Sequence, residues 1–427
     1  MTKLTKYLLF IFLIFSIQTI GCHQSDNNFI PLNFFQTEKF YFNILSSNSY
    51  KSSYTFIKVN YSSKNQLNKL SKLGMDIWYA NKGIAYGEIN STILSEINKL
   101  GINVSIINNK TYTSKTKPQF DKSYHTYNSM LSELREISYK YSNIAQLYDI
   151  GDSWEKTKGK SENDIWMFRI TGNNTSGVKP AIVFFGGHHP REIASIEIPM
   201  FLINFLVDNY GKDKFITDLI NKVEIFICPL VNPDGHIMVE KGWQWRKNTN
   251  DIFKNSQFSN QIDPYGGVDL NRNYGYKWSL DQNIYPENPA YPGKSAFSEP
   301  ETQACRDFIT RTKNIKFIMN YHSFGNYILW PWSWTDEPTK DKEKFEKIGK
   351  KLASFNDYIP QQSSELYICG GVFDDWSYGV LGIPTFTTEL GTPEDGFFPS
   401  YTSIQRIWEE NKKGAIYLIQ LVSENIN

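Results

Sequence analysis

His189 and Glu192 stand three positions apart in His189-Pro190-Arg191-Glu192, just after two glycines and a five-residue apolar run, Ala181–Phe185. An imidazole and a carboxylate at i and i+3 come to one side of a tight or helical turn, where both can reach one cation. Catalytic zinc uses sets such as two histidines and one carboxylate and keeps a fourth position open, so this pair needs one more imidazole. The chain has only six histidines: His23, His125, His188, His189, His236 and His322. His322 is the best candidate, because it ends a second strand-like run, residues 314–321, much as His189 follows the first. Ligands of open parallel sheets gather beyond the carboxyl ends of the strands. His188 could also face a metal, but the H-x-x-E register selects His189 and leaves His188 a supporting place. A bare pair at this spacing also arises by chance on solvated helix faces, so its weight depends on the rest of the chain.

The elements that must position these residues follow from periodicity. The run 181–185 lacks the polar alternation of a half-exposed strand and reads as fully buried, ended by Gly186 and Gly187. Helical spacing covers 127–141, a break is expected at 149–154, and strands are expected at 164–170 and 223–229 around a helix at 195–210. Ser298 to Glu301 has the capping-box form and leads into a helix at 304–312. A strand at 383–390 and a helix at 404–421 close the chain. Helices alternating with apolar strands argue for an α/β fold, a mostly parallel mixed sheet covered by helices on both faces.

Ahead of it, residues 54–107 read strand, helix, strand, strand, helix, strand, with a capping-box form at Ser63 to Gln66. The phrases Lys72-Leu73-Gly74 and Lys99-Leu100-Gly101 repeat one helix-to-strand join. This is the layout of a small ferredoxin-like α+β unit. Residues 108–118 are polar, carry three lysines and have no periodicity, so they read as an exposed linker. The expected organisation is a signal segment (1–22), a tether (23–53), the small unit (54–107), the linker (108–118) and a large domain (119–427).

A length of 427 residues fits two or three such units, and a net charge of +1 gives no hint of a nucleic-acid or polyanion partner. Lys3 and Lys6 precede an apolar run at 7–17 and then Gly21-Cys22, which resembles a bacterial lipoprotein signal. Thr19 departs from the aliphatic residue usual there, which leaves ordinary signal cleavage as the alternative. Either way the chain is exported, held at the cell envelope by a lipid on Cys22 or secreted, with no other membrane attachment expected. Cys228 lies in an apolar strand and reads as a core residue, while Cys305 and Cys369 could pair or stay free.

Five further segments lie at strand ends or in the loops beyond them: 232–235 (Asn-Pro-Asp-Gly), 243–247 (Trp-Gln-Trp-Arg-Lys), 267–273 (Gly-Val-Asp-Leu-Asn-Arg-Asn), 367–376 and 387–390 (Thr-Thr-Glu-Leu). Together with 189–192 and His322-Ser323 they resemble the zinc metallocarboxypeptidase family of carboxypeptidases A, B and T, in the family's order over roughly residues 120–425. The 54–107 unit resembles the prodomain that precedes such enzymes. The resemblance implies one zinc held by His189, Glu192 and His322, with Glu389 as the general base and Arg246 holding the oxyanion. It implies that Asn271 and Arg272 grip the substrate's terminal carboxylate, that Tyr367 closes over it, and that Arg191 lines a neighbouring subsite. Gly370, where many relatives carry a bulkier residue, is expected to loosen the tyrosine loop.

Counting without gaps from Tyr367 to Trp376, Asp374 falls where carboxypeptidase B has the aspartate of its specificity pocket, which implies a preference for C-terminal Lys or Arg. Either Asp374 or Asp375 could instead cap the helix beginning near Trp376, and Asp375 fits that role better. The leading reading is a zinc-dependent exopeptidase acting on the C-termini of peptides or proteins, with a protease that cuts the linker as a partner. The alternatives are a peptidase of the same fold acting on cell-wall stem peptides and a catalytically silent binding lipoprotein.

Overall fold

The computed structural model describes residues 54–90, 94–107, 120–172, 178–250, 266–280, 286 and 288–424. The expected signal segment with Cys22, the tether and the 108–118 linker lie outside them. The first elements are β1 (Tyr54–Asn60), α1 (Lys64–Lys72), β2 (Asp76–Asn81), β3 (Ile84–Asn90), α2 (Leu94–Lys99) and β4 (Asn103–Ile106). Their strands pair antiparallel in the order β2-β3-β1-β4, the expected α+β layout. Gly74 and Gly101 both take positive φ at the two helix-to-strand joins, a conformation that glycine adopts without steric cost. The capping box expected at Ser63 does not close: Ser63 is the N-cap without a side-chain bond, and Gln66 Oε1 accepts from Ser62 instead.

The remaining elements run α3 (Tyr127–Lys140), β5 (Ala145–Asp152), α4 (Trp154–Thr157), β6 (Asp164–Ile170), β7 (Ala181–Phe185), α5 (Ala194–Asn209), α6 (Lys214–Lys222), β8 (Glu224–Cys228) and α7 (Pro233–Glu240). They continue as α8 (Pro300–Arg311), β9 (Ile315–His322), β10 (Tyr327–Trp330), α9 (Lys342–Ala353), β11 (Ile359–Gln362), α10 (Phe373–Leu381), β12 (Thr385–Glu389) and α11 (Tyr401–Ser423). The eight strands form one sheet in the order β11-β10-β12-β9-β7-β8-β6-β5. Its centre, β12-β9-β7-β8, is parallel, and antiparallel pairs lie to either side. Side chains of β7 alternate between two cores, as strand geometry requires. Ile182 and Phe184 join one, with α5 and α11 residues such as Ile198, Leu202 and Leu418. Ala181, Val183 and Phe185 join the other, with Cys305 of α8 and Phe373 and Trp376 of α10. That two-sided burial explains the unbroken apolar run.

Three local expectations are corrected. Residues 149–152 belong to β5 rather than to a break; their turn-like composition serves a bulge between Asp149 and Gly151 and close packing against α8. A Cβ on Gly151 would lie 2.7 Å from that of Ala304. Helix α8 begins at Pro300 with Glu299 as N-cap and no side-chain cap, since Ser298 donates its hydroxyl to the Glu299 carboxylate. Asp375 is not a helix cap either. It sits in the first turn of α10, after the N-cap Val372, and accepts from the backbone N–H groups of Ser333 and Trp334. The three described cysteines, Cys228, Cys305 and Cys369, are buried, and no disulfide joins any two of them.

The small sheet packs on the large domain beside the carboxyl edge of the central strands. Phe56 and Trp78 share an apolar cluster with Phe324 and Phe397. Tyr327 donates its hydroxyl to the Ala80 carbonyl at 3.0 Å, and Ile368 N–H donates to Asn68 Oδ1 at 2.8 Å.

Candidate active site

Two glycines bring the first half of the site out of β7. A Cβ on Gly186 would lie 1.9 Å from the Ser195 carbonyl oxygen, and Gly187 has φ +67° with Leu230 against it, so neither position tolerates a side chain without backbone movement. The chain then turns tightly, Glu192 N–H donating to the His189 carbonyl at 3.0 Å, before α5 begins. His189 and Glu192 thereby face the same side. His322 comes from the end of β9, the strand beside β7.

The nitrogen Nδ1 of His189 lies 2.8 Å from Glu192 Oε1, and Nδ1 of His322 lies 2.8 Å from Glu192 Oε2. One donor atom from each residue falls within 4.8 Å of the others, and all three side chains are buried. Burial works against the Glu192 charge, but His189 and His322 outweigh it and hold the carboxyl well below its usual range. Two imidazole nitrogens and a carboxylate converging in this way match the protein ligand set of a catalytic zinc ion. His188, by contrast, turns away: its Nε2 meets Tyr274 Oη at 2.8 Å, and its ring stacks on His322 with centroids 5.7 Å apart.

Sheet register supplies the next residue. Glu389, at the end of β12, is directly paired with His322. Burial and the neighbouring Glu192 charge push the Glu389 carboxyl up to about 8, and a dication against the same carboxylates pulls the other way.

The cationic side of the site is built around Asp269. Its Oδ1 accepts from His189 Nε2 at 2.9 Å, and its Oδ2 accepts from Arg246 Nε at 3.1 Å and Nη2 at 2.8 Å. One carboxylate thus orients a metal-facing imidazole and a guanidinium together. Asn271 follows in the same turn, its Oδ1 fixed by Phe373 N–H at 2.9 Å. Arg272 donates to its neighbour's carbonyl and, through Nη2, to Tyr367 Oη at 3.0 Å.

The loop carrying Tyr367 is pinned rather than loosened by its glycines. A Cβ on Gly370 would lie 2.1 Å from the Lys277 carbonyl oxygen, and one on Gly371 2.1 Å from that of Arg272. The expectation for Gly370 is therefore reversed: the missing side chain permits closer packing. Asp374 is buried on the first turn of α10, with Thr387 Oγ1 donating to its Oδ2 at 2.6 Å. Burial pushes its carboxyl up to about 6, and Oδ1 has no partner among the described residues.

Every candidate named from the sequence is therefore brought into one connected group of side chains, and four residues not singled out join them: Asp269, Asp76, Asn320 and Thr387. Asp269 lies inside the 267–273 motif, where the Asn-Arg pair drew the attention. Asp76 arrives from β2 of the small sheet. Its Oδ2 accepts from Arg191 Nη2 at 2.6 Å and from Trp78 Nε1 at 2.9 Å, and its Oδ1 stands 3.7 Å from Arg246. The Arg191 guanidinium also lies 4.2 Å from the ring centre of Phe397.

Comparison with known proteins agrees with this geometry. Residues 130–414 match the zinc carboxypeptidase family. The chain is 28% identical over 306 residues to a zinc carboxypeptidase of Saccharothrix mutabilis subsp. capreolus, covering 67% of each chain. It is 29% identical over 295 residues to carboxypeptidase B2 of Rattus norvegicus, covering 66% of each. In structure it is similar to the carboxypeptidase A of Helicoverpa armigera, with a TM-score of 0.73 at 21% identity over 89% of this chain and all of that one, a likeness of fold. The match to the curated relatives thus spans about two thirds of their length.

Proposed function

This chain belongs to the zinc carboxypeptidase family, and from that premise we propose that it is an exopeptidase that removes the C-terminal residue of peptides or proteins, with a preference for Lys and Arg. The observation that carries the reading is the convergence of His189, Glu192 and His322 beside Glu389, with Arg246 and the Asn271–Arg272 turn across the cleft.

Zinc held by His189, Glu192 and His322 would supply an activated water and polarise the scissile carbonyl. Glu389, paired in register with the ligand His322, takes the proton of the attacking water and passes it to the leaving amine. Arg246, fixed by Asp269, faces the developing oxyanion, and a donor in that place is worth about 3–4 kcal/mol in comparable sites. Asn271 and Arg272 bind the terminal carboxylate, for which a planar guanidinium is suited, and Tyr367 closes the same subsite. Requiring that carboxylate makes the enzyme an exopeptidase.

Asp374 sets the side-chain preference. Its unpartnered Oδ1 is a buried acceptor, which a cationic side chain satisfies and an apolar one leaves stranded. The amine of a cell-wall diaminopimelate would serve as well, so stem peptides are candidate substrates. In the uncut chain the small sheet covers the cleft, with the Asp76 carboxylate on Arg191 and beside Arg246, and cutting of the 108–118 linker releases it. Export and a lipid anchor at Cys22 complete the reading; no helix among the described residues is long and apolar enough to cross a membrane.

The test is kcat/KM for otherwise identical peptides ending in Lys or Arg against Leu or Phe, and for a stem peptide, in the wild type and in Asp374→Ala. A basic preference of roughly 100-fold or more that collapses on substitution is expected. Equal rates in the wild type would remove Asp374 from the specificity pocket, and no turnover of any peptide by the cut, zinc-loaded protein would favour the binding lipoprotein.

A further inference from the structure

Arg246 lies on a short strap, residues 245–250, and its partner Asp269 follows Val268 on the turn that faces this strap. Asn248 joins the two. Its backbone N–H donates to the Val268 carbonyl at 3.0 Å, and its Oδ1 accepts from the Val268 N–H at 2.9 Å. One residue thus satisfies both backbone groups of Val268, as a paired strand would. A Cβ on Gly267 would meet the Asn248 carbonyl oxygen at 2.0 Å, so the turn lies directly against the strap. The strap is held on its other side as well, where the Trp245 and Lys247 carbonyls accept from Arg191 N–H and Asn232 Nδ2, both at 3.0 Å. Those bonds tie it to the His189 turn; Asn248 ties it to the turn of Asp269.

The far end of the Asn248 side chain is anchored at the start of helix α8. Nδ2 donates to Glu299 Oε2 at 2.8 Å and to Glu301 Oε2 at 3.1 Å, and all three side chains are fully buried. The two carboxyl groups are themselves fixed: Glu301 Oε1 accepts from the Trp154 N–H at 2.8 Å, and Glu299 Oε2 also accepts from Asn250 Nδ2 at 2.7 Å. On the other side, Asn248 Oδ1 faces a second backbone donor, the Asn250 N–H, at 3.2 Å. Carboxyl oxygens around the nitrogen and backbone N–H groups around the oxygen leave the amide one orientation. Every hydrogen-bonding atom of the amide is engaged, and none of its partners is a water-facing group that could be exchanged cheaply.

We propose that Asn248 is a positioning residue for Arg246: it connects the start of α8 to the turn of Asp269, and so holds the Arg246–Asp269 pair in register before the oxyanion forms. A donor aimed in advance at a developing charge needs no reorganisation at the moment of reaction, which is the source of its effect on rate. Asn248 never touches the substrate; it acts only through the guanidinium. The functional end of the proposal rests on the role given to Arg246 above, whereas the clamp stands on the hydrogen bonds alone.

The measurement is a double-mutant cycle on the full-length, zinc-loaded protein with its linker cut, reading kcat and KM for one peptide with a free C-terminus. Asn248→Leu keeps the volume and removes the amide, so kcat should fall about 10–100-fold, the cost of a small misplacement of a reacting group. KM should stay within about threefold, since an oxyanion donor acts in the transition state, and zinc stoichiometry should be unchanged. Affinity for a peptide phosphonate, an analogue of the tetrahedral intermediate, should fall in step with kcat. In the Arg246→Ala background the same substitution should cost less than about threefold, because the group it positions is already gone. If N248L does not fold, Asn248→Ser takes its place, its hydroxyl being too short to reach both Val268 and the carboxyl groups, with the same pattern expected. A kcat within about threefold of wild type, a loss as large in the R246A background as in wild type, or loss of zinc overturns the proposal. If R246A alone keeps near-normal kcat, the role of Arg246 fails and the proposal falls with it. If R246A loses about 10²–10³-fold and the Asn248 loss is simply additive, the Asn248 link alone is wrong.

Discussion

Glu389 acquires its chemistry from the strand beside it. As a lone carboxylate at a strand end it would be an ordinary surface group; paired in register with His322 and buried near Glu192, it stands beside the candidate metal ligands. Glu389→Gln keeps the size and removes the base, so kcat should fall about 10²–10⁴-fold while stoichiometric zinc is retained. Near-normal turnover in that variant would take Glu389 out of the proton path. Residues of this kind were legible in the sequence because they sit in contiguous motifs at strand ends. Asn320 and Thr387 were not, since each becomes part of the site only through its partner on the adjacent strand, and a register is set by the whole sheet. Asp375 shows the opposite error: an aspartate near a helix start reads as a cap, but this one accepts from a loop about forty residues away in sequence.

Strands and their edges decide which of these residues meet. The parallel centre of the sheet was readable from its apolar runs, and β6 was expected with the bounds it has. Strands β10 and β11 went unseen because four residues give too little periodicity, and β5 was misread where its bulge takes turn-like residues. The small unit meets the site through β2, whose Asp76 reaches across to Arg191 and Arg246. Burial opposes the Asp76 charge, but the two guanidiniums and the Arg191 hydrogen bond outweigh it and lower its pKa. A carboxyl depressed in this way stabilises the contact above about pH 4, the unfolded value, and the stability is lost as pH falls through the lowered pKa. The Asp76 contact is therefore held fully at neutral pH. Asp76→Ala should raise the peptidase activity of the uncut chain toward that of the cut product, followed by limited proteolysis with activity measured alongside. If uncut wild type is already as active as the product, the small sheet is a folding aid and not a cover.

At the scale of the molecule, the parallel centre of one mixed sheet brings His189 and Glu192 beyond β7, His322 of β9 and Glu389 of β12 to a single edge, and a second, smaller sheet lies against that edge. The order of motifs along the chain made this architecture readable before any coordinates. The contact between the sheets was not, because it depends on where one aspartate of β2 lands, more than a hundred residues from its arginine partners in sequence. The proposed zinc exopeptidase requires a substrate that presents a free carboxylate to Asn271 and Arg272. Mass spectrometry of the products from one Lys-terminated peptide, with its C-terminus either free or amidated, tests it directly when run on the linker-cut protein with and without a chelator. Loss of a single residue from the free peptide alone, stopped by the chelator and restored by zinc, is the predicted result. Internal cleavage, equal processing of the amide, or turnover indifferent to the chelator would contradict it.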